Sequence, residues 1–130
     1  MKGADNIAVM GYCFGGMAAL DLARAGADVK GAVSVHGLLG QGDLANKKIH
    51  ARVLCLHGHD DPRVSPEQLF AFETEMSKAK VDRQVHIYGG TKHAFTNLAA
   101  DNPDFGTVFS EQANRRAEQT IANYLSELFS

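Results

Sequence analysis

Hydrophobic positions along the chain fall into four short runs that are separated by longer segments of helical periodicity. The runs extend over Ile7 to Met10, Gly31 to Val35, Arg52 to His57 and Gln84 to Tyr88. Short apolar, β-branched or alternating runs are typical of strands, and their alternation with helices is typical of βαβ units. The pattern therefore predicts an α/β fold with about four mostly parallel strands and flanking helices.

Three segments between and after these runs have an apolar face at helical spacing. The clearest helix start lies at Ser65, because Ser is a preferred N-cap and Pro66 follows in the first turn. A long amphipathic helix closes the chain. The three apolar faces are Met17, Leu20 and Ala23; Leu69, Phe72 and Met76; and Ala113, Ala117, Ile121, Tyr124, Leu125 and Leu128.

Two connections are long for a chain of this size, namely His36 to His50 and Gly89 to Phe105. Long loops in compact domains are often functional. The chain contains no repeat, low-complexity tract or linker, so residues 1–130 are expected to form a single domain.

Composition excludes several classes of protein. With 45% hydrophobic and 22% charged residues, the chain is neither disordered nor fibrous. The net charge is -2 and the basic residues are dispersed, so no nucleic-acid partner is expected. The apolar run near the N-terminus is too short for a signal peptide or a membrane span, which favours a cytoplasmic protein without a membrane partner. Cys13 and Cys55 are then expected to be free thiols.

The sharpest chemical signal is the segment Gly11-Tyr12-Cys13-Phe14-Gly15-Gly16, which lies between a predicted strand and a predicted helix. It has the G-x-C-x-G pattern of a nucleophile elbow, a tight turn whose strained nucleophile needs small residues two positions away on either side, here Gly11 and Gly15. The helix N-terminus beneath Cys13 would favour the thiolate, and the Phe14 N–H could donate to a developing oxyanion.

Two other interpretations of this segment are a dinucleotide-binding turn and a structural cysteine. A dinucleotide-binding turn would need the spacing G-x-G-x-x-G and an acidic residue after the next strand, and neither is present. Cys13 could instead be a buried structural cysteine, since free cysteines are usually buried and inert. Cys55, in the apolar run VLCLHG, is expected to be a core residue.

A cysteine nucleophile in this fold needs an acid and then a histidine further along the chain. Asp60 and Asp61 follow the third strand and His93 follows the fourth, so the loops would meet at one edge of a parallel sheet. The spacing before the next helix favours Asp61 over Asp60. His36 and His57 also end strands, and both are interpreted as structural histidines.

The run His57-Gly58-His59-Asp60-Asp61 has an alternative interpretation as a zinc site, since two histidines and two carboxylates fall within it. No second cluster of ligands accompanies it, and a strand end followed by an acid loop accounts for the same residues. No metal and no cofactor is therefore predicted.

Taken together, GYCFGG, RAGADVKGAVSVHGLLG, HGHDDPRVSPEQ, YGGTKHAFT and ANRRAEQTIANYLSELF resemble the second half of a dienelactone hydrolase-family protein, an α/β-hydrolase. The resemblance implies a catalytic triad of Cys13, Asp61 and His93, with the Phe14 amide as one oxyanion donor. It also implies hydrolysis of a small ester or lactone through a thioacyl-enzyme, with no cofactor.

Two features depart from the family pattern. Members that act on dienelactone have an Arg four residues after the catalytic His, where this sequence has Asn97. The family's strands before the elbow strand, which supply a second oxyanion donor, are absent, so a truncated α/β-hydrolase fold is expected. The strand Ile7 to Met10 would then have a bare edge, which favours a homo-oligomer built on it. A non-catalytic half-domain that oligomerises or binds is the alternative function.

Overall fold

The computed structural model describes residues 6–40 and 48–130. In chain order the elements are β1 (Ala8–Tyr12), α1 (Phe14–Arg24), β2 (Gly31–Val35), β3 (Arg52–Gly58), α2 (Pro66–Lys78), β4 (Arg83–Tyr88), β5 (Asp101–Asn102), β6 (Thr107–Val108) and α3 (Glu111–Leu128). The first four strands form a parallel sheet in the order β1-β2-β3-β4. The predicted α/β fold with four parallel strands is therefore confirmed.

The core has one layer on each face of the sheet, because successive side chains of a strand point to opposite faces. On one face Leu54 and Leu56 of β3 pack with Phe95 and the apolar side of α3. On the other face Val53 and Cys55 pack with residues of α1 and α2. The strands β2 and β3 are covered on both sides, as expected for a parallel sheet between helices.

The start of α2 is fixed by a reciprocal pair of hydrogen bonds. Ser65 accepts from the Gln68 N–H at 3.2 Å, and the Gln68 side chain accepts from the Ser65 N–H at 2.9 Å. This capping box satisfies two of the donors that a helix N-terminus leaves without partners. The helix start predicted at Ser65 is confirmed, with Pro66 as its first residue.

A buried ion pair ties α1 to α2. Arg24, which is 2% exposed, donates to both carboxylate oxygens of Glu75 at 2.8 and 2.7 Å. Its remaining N–H groups reach the carbonyls of Leu39 and Gly40. Since a buried charge is tolerated only when it is paired and hydrogen-bonded, this network holds the end of α1 and the segment after β2 in place.

Within the described part of the chain, β1 pairs with β2 alone and forms one edge of the sheet. Met10 and Tyr12 are 47% and 44% exposed, whereas β2 is buried throughout. The long connection from His36 to His50 lies partly outside the described residues. The other long connection contains β5, which pairs antiparallel with β6 just beyond Phe105, and the sequence pattern does not predict this pair. No helix among the described residues is long and apolar enough to span a membrane.

Candidate active site

Four polar residues follow the carboxyl ends of the four parallel strands. Cys13 comes directly after β1 and His36 directly after β2, while Asp61 and His93 lie in the loops after β3 and β4. Parallel strands bring their carboxyl ends to the same edge, where ligands of open α/β sheets bind. The topology alone therefore gathers a thiol, two imidazoles and a carboxylate.

The turn at Cys13 is as tight as a nucleophile elbow requires. Cys13 has φ 54° and ψ -117°, a conformation that few non-glycine residues adopt, and its N–H donates to the Val35 carbonyl at 3.0 Å. A Cβ on Gly11 would lie 2.1 Å from the carbonyl carbon of Gly15. A Cβ on Gly15 would meet no described atom within 4 Å beyond its chain neighbours and the nearby backbone of its own helix, so the expected steric need for glycine holds at Gly11 and is wrong at Gly15.

His93 and Asp61 form a hydrogen-bonded pair, with His93 Nδ1 at 2.8 Å from Asp61 Oδ2. Asp61 is 3% exposed, and its other oxygen accepts from the Arg63 N–H at 2.8 Å. Burial raises the pKa of Asp61, but the hydrogen bonds from His93 and Arg63 outweigh it, so the net pKa is lowered. The Asp61 carboxylate therefore stays ionised beside the His93 imidazole. Its hydrogen bond to Nδ1 fixes the orientation of the ring and leaves Nε2 as the nitrogen that can act on a substrate.

Asp60 lies on the surface, where its side chain faces His59 at 3.0 Å. The structure thus brings Asp61 to His93 and leaves Asp60 outside the site. The alternative zinc site in this run is not assembled either, because His57 is buried, His59 is exposed and Asp61 is turned towards His93.

His36 is the residue of this site that the sequence analysis missed. Its Nδ1 lies 3.2 Å from Cys13 Sγ, and its Nε2 lies 2.9 Å from Thr96 Oγ1. Burial, with the nearby His93, lowers the pKa of His36 to about 4, so the ring is neutral at ordinary pH. Its position at the end of a strand next to the elbow strand was the available signal, but the sequence does not show which strand-end histidine points to the thiol.

Cys13 carries a thiol rather than a preformed thiolate. Burial raises the pKa of Cys13 above its ordinary value of 9.0, and the Asp61 carboxylate raises it further, while Arg63 only partly lowers it. Because the pKa of Cys13 lies above 9.0, the thiolate that the sequence analysis expected is the minor form near neutral pH. A base must take the proton during any attack by this sulfur.

The remaining predicted residues have clear positions. Phe14 begins α1, so its N–H is one of those without an acceptor inside the helix, and its side chain is 79% exposed. Cys55 is buried in β3, as expected of a core residue, and both cysteines are free. Asn97 is exposed, and its side chain accepts from the Ala99 N–H at 2.9 Å.

One group of possible metal ligands occurs among residues 6–40 and 48–130. The ligand atoms of Cys13, His36 and His93 all lie within 4.8 Å of one another. The same three side chains are therefore able to support either nucleophilic chemistry or the binding of a cation.

A parallel sheet with a strained cysteine between β1 and α1, and a histidine–aspartate pair beyond the later strands, defines an α/β-hydrolase fold. A family model described as "Dienelactone hydrolase family" matches residues 1–129. The chain therefore belongs to the dienelactone hydrolase family, which indicates a hydrolase function in general terms.

Two solved structures are similar in fold and in sequence. The dienelactone hydrolase-like promiscuous phosphotriesterase P91, from metagenomic libraries, is 38% identical with a TM-score of 0.85, over 95% of this chain and 52% of that chain. A protein titled m3DLH is 36% identical with a TM-score of 0.88, over 98% of this chain and 54% of that one.

Among curated proteins, "Putative carboxymethylenebutenolidase" of Saccharolobus solfataricus is 29% identical over 127 residues. The match covers 95% of this chain and 45% of that protein. This chain thus spans about half the length of that relative and of the two solved structures.

Proposed function

We propose that this chain is a cysteine-dependent hydrolase of carboxylic esters or lactones, with Cys13 as nucleophile, His93 as general base and acid, and Asp61 as the residue that orients His93. The proposal rests on the His93–Asp61 hydrogen bond of 2.8 Å together with the approach of His93 to within 4.8 Å of the thiol. A nucleophile, a base and a group that orients the base form the constellation that acyl transfer requires.

Acylation begins with release of the thiol from His36. Cys13 turns towards His93, whose Nε2 takes the thiol proton as the sulfur attacks the carbonyl carbon of the ester. The new C–S bond converts the carbonyl into a tetrahedral intermediate with a negative oxygen. The Phe14 N–H at the start of α1 is placed to donate to that oxygen.

Collapse of the intermediate breaks the bond to the leaving oxygen, and protonated His93 returns its proton to the departing alcohol. A thioester on Cys13 remains. His93 then removes a proton from a water molecule that attacks the thioester carbon, and the acid product leaves as the thiol is protonated again. Asp61 stays ionised throughout and stabilises the imidazolium that forms in each half.

The substrate class is a small ester or lactone rather than dienelactone itself. Asn97 stands where members that act on dienelactone have a carboxylate-binding Arg. An asparagine amide is uncharged, so Asn97 offers no positive charge to a substrate carboxylate, and its Oδ1 accepts from the Ala99 N–H in a local turn. Neutral esters are therefore expected to be better substrates than anionic lactones.

The test is hydrolysis of p-nitrophenyl acetate by the purified chain and by two single variants. Cys13→Ala is expected to lower kcat/KM by at least about a hundredfold, because the nucleophile is lost. Cys55→Ala is the matched control, since Cys55 is a buried thiol of β3 outside the site. Equal activity of wild type and Cys13→Ala would contradict the proposal.

A second proposal concerns assembly. We propose that the open edge of β1, from Ile7 to Met10, pairs with a second copy of this chain to form a homo-oligomer, as an unpaired apolar strand edge is a template for another chain. The alternative function is then a non-catalytic binding module, in which the chain assembles in this way but does not hydrolyse esters. The exposed Met10, at 47%, supports this proposal.

Light scattering of the wild type and of two lysine variants tests the assembly. Met10→Lys is expected to shift the mass towards the monomer, whereas Ile87→Lys on β4 is not. The two side chains are matched, since both are 47% exposed on strands at opposite edges of the sheet. A monomeric wild type would contradict this proposal without affecting the proposed chemistry.

A further inference from the structure

The side chains of Cys13, His36 and His93 converge on one point at the carboxyl edge of the sheet. Cys13 Sγ lies 3.2 Å from His36 Nδ1, and a ring nitrogen of His93 completes a group whose members all lie within 4.8 Å of one another. The rings of His36 and His93 meet edge to face, with centroids 5.4 Å apart. The proposed hydrolytic reaction uses Cys13 and His93, but it does not require a second imidazole beside the sulfur.

Each of the two imidazoles is held by a partner on the side away from the sulfur. His93 Nδ1 contacts the buried carboxylate of Asp61 at 2.8 Å, and His36 Nε2 contacts the Thr96 hydroxyl at 2.9 Å. Metal-binding histidines almost always have such a partner on the second ring nitrogen, because it fixes the orientation of the ring. Both rings are therefore oriented as metal ligands are.

The spacing of the three donors is close to that of a tetrahedral zinc site. Zn–S bonds of about 2.3 Å and Zn–N bonds of about 2.0–2.1 Å place neighbouring ligand atoms about 3.5 Å apart. The pair formed by Cys13 Sγ and His36 Nδ1, at 3.2 Å, is already near this separation, and no pair exceeds 4.8 Å. A shift of about 1 Å in the ring nitrogen of His93, produced by rotation of its side chain, would bring this third donor into place.

We propose that Cys13, His36 and His93 form a three-ligand site for a thiophilic divalent cation such as Zn²⁺, and that its occupancy blocks the nucleophile. Binding forms one metal–sulfur and two metal–nitrogen bonds, the thiol proton passes to the buffer, and no group is oxidised or reduced. The proposed metal binding is inferred from the geometry alone. Its inhibitory consequence rests on the proposed hydrolase function.

Co²⁺ is a suitable probe, because a cobalt–thiolate bond gives a charge-transfer band in the near ultraviolet that does not depend on activity. Titration of the metal-free chain with CoCl2 is expected to produce this band and to saturate at one equivalent, and added Zn²⁺ is expected to abolish it. Cys13→Ser should lose the band. His36→Asn should weaken Co²⁺ binding by more than about tenfold, since a ligand is lost.

His57→Asn is the matched control, because His57 is a buried histidine near the carboxyl end of β3 that does not belong to the group. Thr96→Val, which removes the partner of His36 Nε2, should weaken binding about tenfold and carries the test if His36→Asn fails to fold. Absence of the band in the wild type, or an equal loss in His57→Asn, would overturn the site.

Inhibition is measured separately with p-nitrophenyl acetate. Micromolar-range Zn²⁺ is expected to suppress hydrolysis reversibly, with full recovery after addition of EDTA, and His36→Asn should need more than about tenfold higher Zn²⁺. If the cobalt band appears in a chain without esterase activity, the metal site holds and the proposed hydrolase function fails. If hydrolysis is normal and no band forms, the proposed function holds and the metal site fails.

Discussion

Substitution of alanine for Gly11 and for Gly15 should have opposite effects on stability, although the two residues lie in the same turn. A Cβ on Gly11 would lie 2.1 Å from both the carbonyl carbon and the carbonyl oxygen of Gly15. These are backbone atoms at the start of α1, so the clash cannot be relieved by rotation of a side chain. A Cβ on Gly15, by contrast, would meet no described atom within 4 Å beyond its chain neighbours and the nearby backbone of its own helix.

The magnitudes follow from these contacts. Ordinary carbon contacts need about 3.5 Å, so Gly11→Ala must push β1 and α1 apart by more than about 1 Å. Forced overpacking typically costs about 1–3 kcal/mol, and a rigid backbone contact favours the upper end of that range. Gly15→Ala should stabilise the chain by about 0.5–1 kcal/mol, because alanine restricts the unfolded chain and favours the helical conformation.

Urea unfolding followed by far-ultraviolet circular dichroism measures both effects on the same scale. The expected order of the unfolding free energies is Gly15→Ala above wild type, and wild type well above Gly11→Ala. The reasoning would be refuted if Gly11→Ala were within about 0.5 kcal/mol of wild type, the usual range for surface substitutions. A similar loss in both variants would show that the close approach at Gly11 is not the cause.

Three further predictions concern the cap, the buried histidine and the thiols. Ser65→Ala removes one half of the capping box and should lower the unfolding free energy by about 1 kcal/mol in urea titrations, with Ser130→Ala as an exposed control. Burial lowers the pKa of His57 below 6.5, so the unfolded chain binds more protons than the folded chain at acid pH. The unfolding free energy should therefore fall as the pH drops below 6.5. His57→Asn should show a smaller fall in unfolding free energy between about pH 7.5 and pH 5. Iodoacetamide should modify Cys13 faster as the pH rises towards and above 9.0, while Cys55, whose pKa burial raises to about 12, should react only after unfolding, as peptide mass mapping would show.

Much of the fold was predictable because the hydrophobic pattern is locally consistent. The run Gly31 to Val35 coincides with β2, and the Ser65-Pro66 signal marks the start of α2. The strand β1 extends two residues further than predicted, to Tyr12, since the backbone stays extended up to the turn at Cys13. This extension was not predicted because Gly11, directly after the run, carries no strand signal of its own.

Other features depend on tertiary packing that a sequence does not show. The pair β5–β6 has strands of two residues, too short for a period of hydrophobic positions to appear. Arg24, the last residue of α1, is buried against Glu75, 51 positions away. Long-range partners of this kind have no local signature.

The site was predictable in its chain order and less so in its chemistry. Placement of Cys13, Asp61 and His93 after successive strands follows from the parallel topology, whose strand ends share an edge. The contact of His36 with the sulfur depends on the direction of one side chain at φ 41°, which a strand pattern does not encode. Likewise the protonation of Cys13 depends on burial, which outweighs the nearby Arg63.

The most direct test of the central claim is to trap the acyl group on the sulfur. The chain is mixed with p-nitrophenyl acetate, quenched in acid within the first turnovers, digested, and mapped by mass spectrometry. We expect one acetyl group on the peptide that contains Cys13, and a decrease of at least about a hundredfold in the rate of its formation in Asp61→Asn, because the base loses its orienting carboxylate. Acetylation at lysines alone, or an unmodified Cys13 during active turnover, would contradict the account.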